Sequence, residues 1–99
     1  MEGVFQLGDS VYYADKKLLV YKGQKRQRLS NIRHLLLLCL LNKMNERVVT
    51  EELVKAAYDE EKKGLNNLYG HMTQLKLTVE RYDQKLRIEN TRGAYMLVV

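Results

Sequence analysis

The sequence predicts one α+β domain in which strands come first, helices follow and a β-hairpin ends the chain. Short runs of β-branched and aromatic residues alternate with turn residues near the N-terminus, as in antiparallel sheets. Apolar residues then recur at helical spacing through the middle of the chain. The last residues form two strand-like runs on either side of a glycine turn. A chain of 99 residues has room for one such domain, so residues 1–99 are expected to fold as a unit.

Residues 1–29 are expected to form a four-stranded antiparallel sheet whose short strands are separated by glycine, aspartate and lysine turns. The expected strands run from Val4 to Leu7, Ser10 to Ala14, Leu18 to Tyr21 and Arg26 to Leu29. A basic surface is expected here, because positions 16–33 contain seven basic residues and no acidic one. They are Lys16, Lys17, Lys22, Lys25, Arg26, Arg28 and Arg33.

Residues 30–82 are expected to form a three-helix core, whose first helix begins at Ser30 or Asn31 and ends within residues 42–45. The side-chain oxygens of Ser30 and Asn31 can accept hydrogen bonds from the amides of a first helical turn. Apolar residues on two sides of this helix predict a central position in the core. One stripe is Ile32, Leu35, Leu36, Cys39 and Leu40, and the other is Leu37, Leu38, Leu41 and Met44. The single cysteine is expected to be a buried thiol in a reducing compartment.

Thr50 is the expected N-cap of the second helix, which follows a short strand at Val48 and Val49 and ends near Tyr58. A charged connector from Asp59 to Gly64 is expected to lead into a third helix that begins near Asn66 or Asn67. The apolar residues of the third helix step by four and three positions, which predicts a single buried face. These residues are Leu68, Met72, Leu75, Val79 and Tyr82.

Residues 85–99 are expected to form a hairpin with strands from Lys85 to Glu89 and from Ala94 to Val99. The turn is expected to include Asn90, Thr91, Arg92 and Gly93. Three helices followed by a hairpin is the layout of a winged helix-turn-helix, in which two helices support a third and the hairpin forms a wing beside it.

Several segments resemble the OmpR/PhoB-type output domain, and most closely the cytoplasmic DNA-binding domains of ToxR-type regulators. Residues 45–53 resemble the strand-to-helix junction of that family, and Tyr58 lies where the family usually has tryptophan. Residues 71–76 follow the third-helix pattern H-I-x-x-L-R, and residues 91–95 resemble the wing motif T-V-R-G-x-G-Y. Residues 30–33 resemble a stretch of the ToxR-like branch. The chain differs at Thr73 and Gln74, where arginine is common, and its wing is one residue shorter.

The resemblance implies a bacterial transcription regulator that binds specific double-stranded DNA, as a homodimer on its site. It also implies contacts with RNA polymerase through the segment from Asp59 to Gly64. No cofactor and no small-molecule substrate are expected from it.

The polar side of the third helix and the tip of the hairpin are the expected DNA-binding site. Asparagine and glutamine pair with adenine in the major groove, whereas an arginine on a projecting turn suits the minor groove or a phosphate. Gly70 would let the helix backbone approach the DNA closely. The expected DNA-binding residues are Asn66, Asn67, Gly70, His71, Thr73, Gln74, Lys76, Arg81, Thr91 and Arg92. Lys62, Lys63 and Lys85 are expected to add phosphate contacts.

Two other functions are compatible with the same fold. A winged helix can serve as a protein-interaction module, which the missing arginines and the apolar Leu77 on the polar side favour. RNA binding is the third hypothesis. An enzyme is not expected, because one cysteine and two histidines offer no metal-ligand cluster and no glycine-rich phosphate loop occurs.

A cytoplasmic location is expected from the absence of long apolar segments. The longest apolar run, from Leu35 to Leu41, is far shorter than the roughly 18–20 residues that span a membrane. The first residues also lack the basic and apolar regions of a signal peptide. Membrane tethering would require that the chain be part of a longer protein.

Overall fold

An antiparallel meander forms the N-terminal part of the molecule. The computed structural model describes residues 3–58, 61–83 and 85–99, and for residues 61–66 and 82 it describes the backbone alone. The strands pair in chain order, with Ser10 opposite Tyr21 and Tyr12 opposite Leu19 on the side that faces the core. The four strands are β1 (Val4–Leu7), β2 (Ser10–Tyr13), β3 (Leu18–Tyr21) and β4 (Lys25–Arg28). The predicted four-stranded sheet is confirmed, although Ala14 begins a turn of 3-10 helix (Ala14–Lys16) instead of ending β2.

Three helices follow, as predicted: α1 (Asn31–Leu41), α2 (Thr50–Ala57) and α3 (Glu61–Tyr82). The helix α1 packs against both other helices and the C-terminal strand of the molecule. Its buried residues form one broad face rather than the two faces expected, and the remaining apolar side chains, Cys39 among them, are only partly covered. The buried residues of α1 are Leu36, Leu37, Leu40 and Leu41.

The start of α3 differs from the prediction, because this helix begins at Glu61 and not near Asn66. Glutamate and lysine are strong helix formers, so the charged segment continues the helix without adding the apolar periodicity that would reveal it. The predicted connector is therefore wrong over residues 61–64. Asp59 and Glu60 lie outside the described residues, as do the side chains from Glu61 to Asn66 and of Tyr82.

The predicted side-chain caps of α1 and α2 are also wrong. Ser30 occupies the cap position of α1, but its side chain donates and accepts no hydrogen bond there. Thr50 lies inside α2 as its first residue, preceded by Val49. The Thr50 amide donates to the Gly93 carbonyl at 3.0 Å, so the hairpin, and not a side chain, provides an acceptor at the start of α2.

A second sheet joins the helices to the end of the chain. Its strands β5 (Val48–Val49), β6 (Arg87–Thr91) and β7 (Ala94–Val98) are ordered β5-β7-β6, and β7 pairs antiparallel with both neighbours. The hairpin is confirmed, but its turn is tighter than predicted, because Thr91 belongs to β6 and pairs with Ala94. The turn consists of Arg92 and Gly93, and Gly93 adopts φ +65°, a conformation that glycine tolerates best.

A buried hydrogen bond connects the N-terminal sheet to the end of α3. Ser10, on β2, donates from Oγ to Oδ2 of Asp83 at 3.0 Å, and both residues are almost fully buried. The second carboxylate oxygen of Asp83 accepts from the Lys85 amide at 2.9 Å. One carboxylate therefore fixes both the meander and the chain that leads into β6.

A second polar contact, between β2 and α1, includes a histidine. The Tyr12 hydroxyl and Nδ1 of His34 lie 2.6 Å apart. Burial, with a smaller effect from the Lys17 charge, lowers the pKa of His34. In the unfolded chain, His34 binds a proton as the pH falls below the ordinary histidine pKa of about 6.5. In the folded chain it binds that proton only at a lower pH, so acid favours the unfolded state. We expect the free energy of unfolding in urea to fall as the pH drops from about 7 to about 5.

The control is His34→Gln, which keeps a polar side chain but cannot titrate. Its free energy of unfolding should fall less over the same pH interval than that of the wild type. Equal slopes in the two proteins would assign the pH dependence to other groups.

Candidate functional site

The two sides of α3 differ sharply in burial. Leu68, Met72, Leu75 and Val79 are almost fully buried, which confirms the predicted apolar face. The opposite side is exposed where its side chains are described, and the sequence has no acidic residue from position 62 to position 79. Its described exposed residues are Asn67, Tyr69, Gly70, Thr73, Gln74, Leu77 and Arg81. We call these seven residues the outer face of α3.

Gly70 lies at the centre of the outer face, about one helical turn after Asn67 and one turn before Gln74. Its φ is not in the positive range, so the backbone does not demand a glycine. A Cβ added to Gly70 would meet no atom within 4 Å, so the packing does not demand one either. A glycine inside a helix nevertheless costs about 1 kcal/mol relative to alanine.

One flank of the outer face meets α1. Arg33 from the first turn of α1 lines an open depression of about 360 Å³ together with Asn67, Gly70, His71 and Gln74 of α3. The Nε atom of Arg33 and the Nδ1 atom of His71 are buried, and neither has a hydrogen-bond partner. The sequence predicts His71 as a DNA-binding residue, whereas Arg33 enters the prediction only in the basic segment and in the stretch that resembles the ToxR-like branch.

The other flank of the outer face meets the C-terminal hairpin. Lys76 donates from Nζ to Glu80 at 2.7 Å and to the Ile88 carbonyl at 3.0 Å, so its ammonium group holds α3 against β6. Burial would raise the pKa of Glu80, but hydrogen bonds from Lys76 and the Ile88 amide lower it. Lys76 is therefore engaged within the fold.

Two tyrosines continue this contact towards the hairpin turn. Burial raises the pKa of Tyr95 on β7, and the nearby Tyr69 phenol adds to the effect. Tyr69 is 51% exposed, so it lies at the edge between α3 and β7 with half of its surface open. Its backbone carbonyl also accepts from the Thr73 hydroxyl at 2.8 Å, which leaves the Thr73 methyl group and the two lone pairs of the hydroxyl oxygen for an outside partner.

Two arginines, one in the hairpin turn and one beside it, bring guanidinium groups to this end of the molecule. Arg92 is exposed in the turn itself, and its carbonyl accepts from Nη2 of Arg47 at 3.3 Å. Arg47 lies immediately before β5, which pairs with β7 as far as Val49 and Ala94. Sequence reasoning predicted Arg92 but missed Arg47, because only the pairing of β5 with β7 brings the two together.

Most of the predicted site residues whose side chains are described belong to the outer face, its flanks or the hairpin turn. Thr91 is exposed at the end of β6. Lys85 pairs with Asp9 at 3.4 Å, away from the turn. The side chains of Asn66, Lys62 and Lys63 are outside the described set.

Neither a protein-family model nor a curated protein sequence matches this chain. In the described ranges, no three histidine, cysteine, aspartate or glutamate side chains are grouped as a metal site would require. The helices described here are also too short or too polar for a membrane span.

Proposed function

We propose that this protein is a winged-helix domain of the OmpR/PhoB type, most like ToxR-type regulators, which binds specific double-stranded DNA and regulates transcription. In this proposal α3 enters the major groove through its outer face. The β6–β7 hairpin acts as the wing and places Arg92 in the minor groove or on the backbone. The order of strands and helices, and the short strand β5 beside the hairpin, agree with a winged helix.

The observation that carries the proposal is Gly70. The fold requires a glycine there neither for conformation nor for packing, and the helix is less stable with it. A glycine at the middle of an exposed helix face does allow another molecule to approach the backbone closely. The major groove of DNA is wide enough for an α-helix, and a helix in it lies close to the base edges.

The side chains around Gly70 are suited to read bases. The amides of Asn67 and Gln74 can each pair with the donor and acceptor of an adenine edge. The Thr73 methyl group and Leu77 can contact the methyl group of thymine. The guanidinium groups of Arg92 and Arg47 would contact phosphates and so set affinity and salt dependence. Such contacts carry no sequence information, so they would not set the preference among sites.

By the same resemblance, we propose a homodimer on DNA and a contact with RNA polymerase at the junction of α2 and α3. The proposed contact is the segment from Asp59 to Gly64, whose last four residues belong to α3. A test of the polymerase contact would compare the transcription produced by the wild-type protein and by Asp59→Ala at a promoter that contains a selected DNA site.

The salt dependence of DNA binding tests the proposal. Fluorescence anisotropy on a generic duplex should give a log affinity that falls linearly with log salt, by about 0.9 per neutralised phosphate. Arg92→Ala should lower the magnitude of this slope by about one such unit and weaken binding to every sequence. Gln74→Ala should leave the slope unchanged and reduce preference among selected sites.

Arg87→Ala is the matched control, because Arg87 is an exposed arginine at the opposite end of β6 from the turn. Its slope should equal that of the wild type. If the slope for Arg92→Ala equals the wild-type slope, the hairpin turn does not contact the DNA. Tighter binding to duplex RNA than to duplex DNA would favour the third hypothesis.

A protein-interaction module is the second candidate, and two exposed apolar side chains favour it. Tyr69 and Leu77 are 51% and 52% exposed on the outer face of α3. Large exposed apolar groups on one surface are typical of protein contacts. A folded protein that binds no duplex even at low salt would favour this function over DNA binding.

A further inference from the structure

Buried polar atoms without hydrogen-bond partners lie near the junction of α1 and α3. In the described part of the chain, three buried polar side-chain atoms have no hydrogen-bond partner: Nε of Arg33, the hydroxyl of Tyr58 and Nδ1 of His71. Leaving such a group unpaired costs about 1–3 kcal/mol, so these atoms are usually satisfied by something. Two of the three residues, Arg33 and His71, line the depression beside the outer face of α3. The ring of Tyr58 packs 6.3 Å from the ring of His71.

The depression has the charge and the hydrogen-bonding groups that an anion needs. Arg33 brings a permanent positive charge, and the first turn of α1 contains no acidic residue to neutralise it. None of the described lining residues is acidic, and His71 and Gln74 add groups that can donate hydrogen bonds. A phosphate offers acceptor oxygens only, and arginine binds it with two parallel hydrogen bonds.

The position of the depression identifies the source of the phosphate. It adjoins the outer face of α3, since Gly70, His71 and Gln74 belong to its wall and Gly70 and Gln74 also to that face. A helix in the major groove has a phosphodiester backbone along each side, and contacts from neighbouring helices to that backbone fix the orientation of the protein. The hairpin lies along the other flank of α3. On this flank, α1 can contact the backbone of one DNA strand.

We infer that the depression between α1 and α3 binds one phosphodiester of the DNA backbone, and that Arg33 is the residue that binds it. This inference rests on the proposed function and extends the interface from α3 and the hairpin to α1. It also gives Gly70 a second role, because any side chain there would point towards the entrance of the depression. Arg33 then contributes to affinity for all DNA sequences and not to the choice among them.

The test compares Arg33→Gln and Arg33→Lys with the wild type on a generic duplex and on a selected site. Arg33→Gln should weaken binding about tenfold to both, as expected for one charge-assisted hydrogen-bonded contact. Its log affinity should fall less steeply with log salt, by about 0.9. Arg33→Lys keeps the charge and should restore the wild-type slope. The ratio of specific to generic affinity should be the same in all three proteins.

Stability measurements separate this role from a structural one. The unpaired Nε of Arg33 contributes no hydrogen bond to the fold, so Arg33→Gln should melt at or above the wild-type temperature. Arg87→Gln removes an exposed arginine that does not line the depression, and it should leave affinity and slope unchanged.

Each outcome decides between the two proposals. An unchanged slope in Arg33→Gln, with a reduced slope in Arg92→Ala, would overturn the phosphate site and leave the proposed function standing. Inorganic phosphate that perturbs the His71 ring signals, together with an unchanged DNA slope, would assign the depression to a small anion instead. Absence of salt-dependent DNA binding by the wild type would overturn both proposals.

Discussion

Replacing Gly70 with leucine should make the protein more stable and remove most of its affinity for DNA. The two effects have different origins. Leucine is the better helix former, and a side chain at this position meets no atom of the protein within 4 Å. We expect the free energy of unfolding to rise by about 0.5–1 kcal/mol, which corresponds to a melting temperature several degrees higher.

The loss of DNA affinity follows from the place of Gly70 on the outer face of α3. A leucine side chain would hold the helix away from the base edges that Asn67 and Gln74 are proposed to contact. Each good contact of this kind is worth roughly 1–3 kcal/mol, so losing one or two reduces affinity for a selected site about 100-fold. Anisotropy on that site and thermal unfolding of the same preparation measure both effects.

Ala56→Leu provides the control, because it adds an apolar side chain to an exposed position of α2. Its DNA affinity should equal that of the wild type. Undiminished affinity in Gly70→Leu would mean that α3 does not lie against the DNA, and Gly70 would then lose its proposed role. Reduced stability in Gly70→Leu would show that the fold requires the glycine.

The side of α3 that faces the core could be predicted from the sequence because burial imposes a period on it. Leu68, Met72, Leu75 and Val79 follow helical spacing, and all four are buried. The same logic identified the outer face by exclusion, since exposed residues lie opposite a buried stripe. The charged residues from Glu61 carry no such period, so the first turn of α3 gave no signal that distinguishes helix from loop.

The residues that complete the candidate site could not be predicted, because the fold brings them together from distant parts of the chain. Arg33 joins His71 through the packing of α1 on α3, and Arg47 joins Arg92 through the pairing of β5 with β7. No local pattern records either contact. The hydrogen bond from the Thr50 amide to the Gly93 carbonyl at the start of α2 likewise joins distant parts of the chain.

A hydrogen bond between distant parts of the chain also leads to the second large effect, in Asp83→Ala. Asp83 is 2% exposed and accepts hydrogen bonds from Ser10, 73 positions away in the chain, and from the Lys85 amide. Alanine would leave the buried Ser10 hydroxyl and that amide without their partner. A buried hydrogen-bonding group left unpaired costs about 1–3 kcal/mol. We therefore expect the free energy of unfolding to fall by about 3 kcal/mol and the melting temperature by more than about 10 °C.

Asp83→Asn separates loss of the hydrogen bonds from loss of the charge. Its amide keeps an acceptor for the Lys85 amide and gains a donor for the Ser10 hydroxyl, so most of the stability should remain. A double-mutant cycle with Ser10→Ala should give a coupling of about 1 kcal/mol or more between the two side chains. A loss below about 1 kcal/mol in Asp83→Ala would contradict the role assigned to this carboxylate. Apolar packing of the N-terminal sheet, chiefly through Leu7, Tyr12 and Leu19 of the buried core, would then account for most of its attachment.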